Sequence, residues 1–258
     1  MRRLLLLLTV FFCLAAASAW ADSGTLYAMS DGDNTLYAIN PNTYALTPIG
    51  FTGVGTGDFG DLAFNPNSNT AYWVPGRGND NLYTINLQTG AASLVGAHGI
   101  DDMFALAYDT ATNNLYGESS NGNFYSISTT NGAATLLGSN TVYPGGMTYR
   151  ADTNQLILLG AGNAQFWQLN PANGAAALLG GNGFVNDNGL AWDPVQGKFF
   201  VDDWSSNFYT GDPNTWLLTQ VGSLPGPFDG IIYTPEPGTM LLLGSGIVGL
   251  ATRLRRKL

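Results

Sequence analysis

The chain has very few cysteine, lysine and arginine residues, and most of those it has lie near its two ends. Cys13, the only cysteine among 258 residues, is close to the N-terminus. Residues 22–234 hold 17 acidic residues but only Arg77, Arg150 and Lys198 as basic ones, a formal charge of −14. Without cysteine this segment forms no disulfide and does no thiol chemistry. Without clustered lysine and arginine it is not expected to bind nucleic acid.

Glutamate and lysine, which favour helices, are nearly absent between residues 22 and 234, whereas glycine, asparagine, threonine and tyrosine are common. Residues of the second group favour turns and strands. The composition therefore predicts an all-β domain, and about 210 residues are enough to build one around a core of its own.

The sequence also lacks long apolar runs. It has two short ones, and the first of them predicts a secretory signal peptide. Arg2 and Arg3 precede an apolar run over residues 4–17, and Ala19-Trp20-Ala21 supplies small residues at the two cleavage positions. This charged, apolar and small-residue order is typical of such signals. The run is shorter than the roughly 20 residues of a spanning helix, which disfavours the alternative of a retained membrane anchor. We therefore expect signal peptidase to remove residues 1–21.

The second short run lies at the C-terminus, between Pro235-Glu236-Pro237 and a basic tail. The run covers residues 238–251, and the tail holds Arg253, Arg255, Arg256 and Lys257. This order resembles the PEP-CTERM sorting signal of Gram-negative bacteria that make extracellular polysaccharide, and the resemblance covers residues 235–258. It implies transient membrane contact through the C-terminal segment, with the basic residues on the cytoplasmic side. It also implies processing by an exosortase near Pro235, Glu236 and Pro237, followed by release or attachment at the cell surface or in the extracellular matrix.

The segment between these ends repeats itself with a period close to 42 residues. The aromatic residues of four alternating tracts, Tyr83, Tyr125, Trp167 and Tyr209, are each 42 apart, and Tyr37 precedes the first by 46. After each tract come a turn and a second strand that closes on a glycine, namely Gly50, Gly96, Gly138, Gly180 or Gly222. Two further short strands complete each repeat. Four short antiparallel strands in about 42 residues are typical of a β-propeller blade.

The two ends of this array predict that it closes into a ring. The N-terminus begins at a second strand, Leu26-Tyr27-Ala28, and the C-terminus supplies an extra first strand, Gly230-Ile231-Ile232-Tyr233. Pairing of the two completes a fifth blade and removes exposed sheet edges. The fold predicted for residues 22–234 is therefore all-β, a five-bladed β-propeller closed by its N- and C-terminal strands. It loosely resembles exported WD-repeat-like and quinoprotein-like propellers. The alternative, a two-sheet sandwich, does not explain a constant spacing of 42.

Acidic residues fall mostly on one predicted face of the disc. We define the upper face as the face that carries the loops between the second and third strands of each blade and the loops between blades. The opposite face is the lower face. The lower face has four acidic residues, all in tight turns, namely Asp109, Asp152, Asp193 and Asp212. The upper face has twelve, namely Asp31, Asp33, Asp58, Asp61, Asp80, Asp101, Asp102, Glu118, Asp187, Asp202, Asp203 and Asp229. Because irregular loops on a rigid frame commonly bind ligands, we expect the upper face to bind the partner.

Some of these residues immediately precede the innermost strands and should lie at the mouth of the central channel. The candidate ligand-binding residues there are Asp58, Asp61, Asp102, Asp187, Asn188 and Asp229. Converging oxygens suit Ca²⁺, which takes about six to eight oxygen ligands, and the predicted metal ligands are Asp61, Asp102, Asp187 and Asp229. The alternative is that they are solvated turn residues that make only local hydrogen bonds. The segment Asp31-Gly32-Asp33-Asn34 is not predicted to be a calcium loop, because Asn42 stands where the glutamate of such a loop is expected.

Aromatic residues on the upper face are candidates for stacking on sugar rings. They are Phe59, Tyr143, Phe184 and Trp204. Trp204 is the best of these candidates, whereas Phe59 and Phe184 are expected to plug the channel or pack at a blade edge.

Catalytic machinery is not evident in the sequence. His98, the only histidine, stands alone in a loop and is expected to be a surface residue, so no serine–histidine–aspartate arrangement can be built around it. Paired carboxylates are too numerous to indicate acid–base roles. We expect a non-catalytic, exported, surface-sorted protein that binds extracellular polysaccharide or another surface protein. The alternatives are an enzyme that acts on polysaccharide through channel-mouth carboxylates, and a structural component without a specific ligand.

Overall fold

The computed structural model of the protein describes residues 24–55, 58–181 and 187–235, with only the backbone at residues 187 and 188. These residues form twenty β-strands, and no helical segment within them has the length and apolar character that a bilayer crossing requires. The strands are β1 (Thr25–Ser30), β2 (Thr35–Ile39), β3 (Leu46–Phe51), β4 (Asp61–Asn65), β5 (Thr70–Val74), β6 (Asn81–Ile85), β7 (Ala92–Ala97), β8 (Met103–Asp109), β9 (Asn114–Ser119), β10 (Asn123–Ile127), β11 (Ala134–Ser139), β12 (Pro144–Arg150), β13 (Gln155–Gly160), β14 (Gln165–Leu169), β15 (Ala176–Gly181), β16 (Asp187–Asp193), β17 (Lys198–Asp203), β18 (Asn207–Gly211), β19 (Leu218–Ser223) and β20 (Phe228–Thr234). The predicted signal peptide and the segment from Glu236 onward lie outside the described residues.

The strands pair into five four-stranded antiparallel sheets, one for each predicted blade. Blade 1 has the order β20-β1-β2-β3, and blades 2 to 5 are β4–β7, β8–β11, β12–β15 and β16–β19 in chain order. The innermost strands contact one another around the ring, and β20 contacts both β16 and β4. In blade 1, Thr25 lies opposite Thr234 and Leu26 opposite Tyr233. The five-bladed propeller and its closure by the terminal strands are therefore confirmed.

The core of the protein consists of five apolar clusters, one at each interface between neighbouring blades. For example, Leu26 and Ile39 of blade 1 pack with Phe200 and Phe208 of blade 5. The other four clusters join blades 1 and 2, 2 and 3, 3 and 4, and 4 and 5 in the same way. Innermost strands have neighbouring blades on both sides, and β8 and β20 are accordingly buried along their whole length. Burial of this apolar surface is the main force that holds the blades together.

In four of the five repeats, the glycine that closes the outer strand makes room for the neighbouring blade. A β-carbon added to Gly96 would collide with the backbone oxygen of Asn131, and one added to Gly138 with that of Asn173. Asn131 and Asn173 each belong to the turn between the third and fourth strands of the next blade. Gly222, in contrast, has no atom within 4 Å of such a β-carbon. The spacing of 42 between these glycines thus reflects a repeated contact between blades.

Both ends of the described chain lie on the lower face. Because Thr25 pairs with Thr234, the chain enters the ring beside the point where it leaves it at Pro235. Pro235 is exposed and lines the apolar lower mouth of the channel together with Tyr233 and Phe64. All twenty strands and the ring closure lie between Thr25 and Thr234. A chain of residues 22–235 therefore keeps every strand pairing and every blade interface of the ring.

Candidate functional site

Four aromatic side chains form a depression on the upper face above the channel. Phe59, Phe104, Tyr143 and Trp204 line a cavity of about 180 Å³, whose remaining wall is Pro144, Gly145 and Ala161. Each ring comes from a different blade, because Phe59 precedes β4, Phe104 lies in β8, Tyr143 precedes β12 and Trp204 follows β17. Trp204 is 37% exposed and Tyr143 49% exposed, whereas Phe104 is buried. The depression therefore presents apolar ring surface to solvent at the centre of the upper face.

The rings of the depression support one another. Phe59 stacks on Trp204 with a centroid distance of 4.6 Å and an interplanar angle of 22°. Phe104 packs edge-on against Tyr143, with centroids 5.9 Å apart. The turn that carries Trp204 is held by the carboxylate of Asp203, which accepts hydrogen bonds from the backbone N–H of Asn207 (2.8 Å) and from other groups of β18. Trp204 is thus an exposed ring on a fixed support, as sugar stacking would require, and Phe59 covers one side of it.

Phe59 itself has an unusual backbone conformation. Its φ angle is +63°, in the left-handed region that bulky residues avoid. Its backbone N–H donates a hydrogen bond of 3.1 Å to Oδ2 of Asp229, which lies in β20 of the neighbouring blade. The contact between Phe59 and Asp229 thus links the aromatic depression to a cluster of acidic residues beside it.

Arg77 lies at the rim of the depression and joins its aromatic and acidic parts. Its guanidinium lies 4.9 Å from the ring centroid of Phe59 and 5.4 Å from that of Phe104. It also forms ion pairs with Asp58 (3.5 Å) and Asp102 (3.2 Å). Such cation–π contacts are each worth about 0.5–1 kcal/mol at exposed sites. Arg77 therefore neutralises part of the charge of Asp58 and Asp102.

Asp61 lies deeper, inside the channel, and its carboxylate joins three innermost strands. Its Oδ2 accepts the backbone N–H groups of Leu106 (2.7 Å) and Met147 (3.1 Å), and its Oδ1 that of Leu62 (2.8 Å). Burial raises the pKa of Asp61 well above its usual range, and these N–H groups oppose the rise. The equivalent positions of the other blades hold small residues, namely Ala105, Gly146, Gly189 and Gly230. Asp61 is therefore the only residue at this position of an innermost strand with a carboxylate, and the buried carboxylate of Asp202 lies against Gly189 of the neighbouring innermost strand β16.

Asp31, Asp58 and Asp229 bring their carboxylates together beside the depression. One oxygen from each lies within 4.8 Å of the other two. Asp229 is buried, whereas Asp31 and Asp58 are partly exposed. Burial raises the pKa of Asp229, and the negative charges of Asp31 and Asp202 raise it further. Burial and Asp58 likewise raise the pKa of Asp31.

The structure separates the predicted ligand set into several places. Asp58 and Asp229 meet, Asp61 lies in the channel, and Asp102 pairs with Arg77. Asp187 begins β16 opposite Asp203, but its side chain and that of Asn188 lie outside the described part of the structure, as do Phe184, Glu236 and Pro237. The predicted calcium site at Asp61, Asp102, Asp187 and Asp229 stays a prediction.

Sequence reasoning missed three residues of the site. Arg77 is the only basic residue in the predicted upper-face loops, a signal that could have drawn attention to it. Phe104 belongs to an innermost strand, where an aromatic residue gives no indication that it also lines a surface. Asp31 was assigned to the upper face, but the sequence gives no distance between it and Asp229.

His98 is buried, so the prediction of a surface histidine was wrong. Only 6% of it is exposed, and its Nδ1 accepts the backbone N–H of Ile100 at 3.1 Å. Burial lowers the pKa of His98 to about 4. The imidazole is therefore neutral at neutral pH, and it forms part of the loop that leads into β8.

Comparisons with known proteins identify the C-terminal segment and the fold. The PEP-CTERM protein-sorting motif matches residues 234–257, and a domain of unknown function, DUF4394, matches residues 15–107. No curated protein is similar enough to the chain to be matched. Among solved structures, a chain of the crystal structure of a nidogen/laminin complex is 16% identical with a TM-score of 0.54, over 82% of this chain and 85% of that one. A structural genomics protein of unknown function from Bacteroides thetaiotaomicron is 16% identical with a TM-score of 0.60, over 81% of this chain and 62% of that one.

At such low identity the likeness to solved structures concerns the fold alone. The sorting motif carries more information, because it predicts where the protein goes. The chain therefore has a PEP-CTERM protein-sorting motif behind a five-bladed propeller, which indicates an exported, cell-surface-sorted protein that an exosortase processes.

Proposed function

We propose that this protein binds extracellular polysaccharide, without catalysis, at the aromatic depression of its upper face. The observation that carries the proposal is the depression itself, where four rings from four blades meet beside Arg77 and the carboxylates of Asp58 and Asp102. Sugar rings offer apolar C–H faces that pack on aromatic rings, and hydroxyl groups that hydrogen-bond to carboxylates and guanidinium groups. The site offers both kinds of partner.

The form of the depression favours recognition of a short part of a long chain. A cavity of about 180 Å³ is smaller than the pockets that enclose whole small-molecule ligands, which are roughly 300–1,000 Å³. It accommodates about one sugar ring and leaves the rest of a polymer outside. The stack of Phe59 on Trp204 holds the exposed indole in place before the ligand arrives, which lowers the entropic cost of binding.

The position of the chain ends supports the same function. The sorting motif begins at the lower face, next to Pro235, and the depression lies on the upper face. A protein held to the cell surface through its C-terminal segment would therefore present the depression away from the membrane. Polysaccharide of the extracellular matrix would meet this face first.

A non-catalytic role is favoured by the engagement of the carboxylates nearest the rings. Asp58 and Asp102 both pair with Arg77, and Asp61 is surrounded by backbone N–H groups inside the channel. One observation favours the alternative, an enzyme that acts on polysaccharide. Asp31 and Asp229, whose pKa values are raised, lie close to Asp58, and glycoside hydrolysis uses two carboxyl groups, one of which has a raised pKa.

The test is co-sedimentation of residues 22–235 with matrix polysaccharide from an exosortase-bearing bacterium. We expect the unaltered protein to be retained and Trp204→Ala to bind at least tenfold more weakly, because truncating a central aromatic contact costs about 1.5–2 kcal/mol. Phe51→Ala is the matched control, since Phe51 is an exposed aromatic residue (55%) on the outer strand β3. Equal retention of the Trp204→Ala and Phe51→Ala variants would refute binding at the depression.

The same mixtures distinguish the other functions. Release of new reducing ends by the unaltered protein, lost in Asp229→Asn, would replace binding by catalysis. A failure to retain polysaccharide, with capture of a surface protein that depends on Trp204, would assign the depression to a protein partner instead.

A further inference from the structure

The acidic cluster beside the depression has a geometry that calls for a positive charge. Asp31 lies in the loop after β1, Asp58 just before β4, and Asp229 in β20, so two blades contribute to it. One oxygen of each carboxylate lies within 4.8 Å of the other two. Three carboxylates at this distance repel one another strongly if all are ionised.

Asp229 provides a second and independent observation. The residue is only 2% exposed, and its Oδ2 accepts the N–H of Phe59. Its other oxygen, Oδ1, is buried and accepts no hydrogen bond of ordinary geometry among the described residues, although the N–H of Gly60 and the carboxyl group of Asp31 lie near the carboxylate. A buried carboxylate oxygen without a partner is costly, because ions and polar groups lose their hydration on burial. A bound cation would satisfy it, and so would a proton shared with Asp31.

The three basic side chains among the described residues do not supply this charge. Arg77 reaches the cluster only through Asp58, at 3.5 Å, and it shares its charge with Asp102. Arg150 pairs with Asp152 in a turn of the lower face. Lys198 lies over the ring of Phe200. Within the described ranges no salt bridge reaches Asp31 or Asp229.

We propose that Asp31, Asp58 and Asp229 bind a divalent cation that prefers oxygen ligands, with Ca²⁺ as the first candidate. Carboxylates are its preferred protein ligands, and Ca²⁺ tolerates irregular sets of about six to eight oxygens, whereas Mg²⁺ requires a near-regular octahedron. Asp31 and Asp58 are partly exposed, so water or ligand hydroxyl groups can complete the shell. Of the metal ligands predicted from the sequence, this site contains only Asp229, whereas Asp58 was predicted only as a ligand-binding residue. The proposal goes beyond polysaccharide binding, since the cation needs no sugar to bind.

The cation would also order one wall of the depression. Phe59 follows Asp58 directly, and its N–H is bound by Asp229. Coordination of both aspartates would therefore fix the segment that places the Phe59 ring against Trp204.

For the experiment, a protein of residues 22–235 is treated with chelator and dialysed. It is then titrated in a calorimeter with Ca²⁺ alone and, in a second series, with Mg²⁺. Thermal unfolding is measured in parallel. We expect one binding site for Ca²⁺ with a Kd below about 1 mM, the range of extracellular calcium modules, and a rise in Tm on calcium addition because the ion binds the folded state. Asp229→Asn should weaken binding at least tenfold and abolish the rise in Tm.

Two features keep the test decisive. Asp229→Asn retains an oxygen for the N–H of Phe59 and removes the charge that repels Asp31, so the Tm of this variant without calcium should not fall below that of the unaltered protein. Asp33→Asn is the matched control, because Asp33 is exposed, lies two residues from Asp31, and carries the same charge; it should bind calcium normally. The proposal would be overturned if no binding were seen at Ca²⁺ concentrations up to about 10 mM, ten times the expected upper limit of the Kd, or if Asp229→Asn left the binding unchanged. Absence of binding would mean that shared protons, rather than a cation, relieve the repulsion among the three carboxylates.

Discussion

Glu118 allows a quantitative prediction about the pH dependence of stability. It lies in β9 and is fully buried. Its Oε2 accepts one hydrogen bond, of 3.2 Å, from the side chain of Asn140, and its Oε1 is buried with no partner among the described residues. Burial raises the pKa of Glu118 from 4.5 to about 8, and the hydrogen bond from Asn140 opposes the rise. The carboxyl group is therefore protonated in the folded protein at neutral pH.

The sign and the size of the effect follow from this shift. Below pH 4.5 both the folded and the unfolded chain carry the proton. As pH rises, the unfolded chain loses it near pH 4.5, whereas the folded protein keeps it until about pH 8, so the free energy of unfolding falls across this window. Each unit of pKa corresponds to about 1.4 kcal/mol, so the loss is up to about 5 kcal/mol between pH 4.5 and pH 8. Local relaxation and water entry would reduce it.

The assay compares the unaltered chain of residues 22–235 with Glu118→Gln by urea unfolding at pH 4.5, 6 and 8.5. Glutamine has the same shape but does not ionise. The two proteins should be similar at pH 4.5, and the variant should be the more stable by several kcal/mol at pH 8.5. Asp61 and Asp229 also contribute to the pH dependence, but they do so in both proteins, and the difference cancels them. A difference in unfolding free energy that stays constant across the three pH values would refute the assignment of a raised pKa to Glu118.

Three further variants test how the ring is held together, each by urea unfolding at pH 7. Asp61→Ala leaves the N–H groups of Leu106 and Met147 buried without their acceptor, so we expect a loss of about 3–5 kcal/mol; a loss below about 1 kcal/mol would contradict a linking role for the carboxylate. Gly138→Ala places a methyl group against the backbone of Asn173 in the next blade and should cost about 1–3 kcal/mol. Gly222→Ala, where the added group meets nothing within 4 Å, should cost less than about 0.5 kcal/mol, and equal costs at both glycines would show that the contact between blades is unimportant.

The architecture could be predicted from the sequence because its causes are local and repeated. Alternating tracts form strands, glycines such as Gly96 and Gly138 admit the turn of the next blade, and each cause recurs every 42 residues. Ring closure followed from counting strands at the two ends. The order of strands within a blade likewise predicted that the upper face is the acidic, loop-rich side.

The site itself could be predicted only in part, because it depends on distances between loops of different blades. Trp204 was identified by its type and its place in a loop, but its stack with Phe59 joins residues 145 positions apart. The approach of Asp31 to Asp229 likewise depends on the closure of blade 1, which fixes both loops at once. His98 shows the same limit, since a loop histidine is exposed or buried according to what packs above it.

The candidate site consists of departures from the repeat, and these departures are confined to the upper face. At the position of Asp61 the innermost strands of the other four blades have alanine or glycine, so one innermost strand alone has an aspartate there. Arg77 and Trp204 likewise occupy loops between second and third strands in which the other blades have neither residue type. The lower-face turns between first and second strands, in contrast, begin with Asn or Asp in three of the four blades that have such a turn, namely at Asn65, Asp109 and Asp193. There the side chain accepts backbone N–H groups of its own turn. Since the sorting motif is attached on that regular face, the irregular face is the one free to diverge. If the protein binds polysaccharide as we propose, the upper face suits that role for a physical reason. A loop there can change without altering the lower-face turns, the blade interfaces or the chain end that carries the sorting motif.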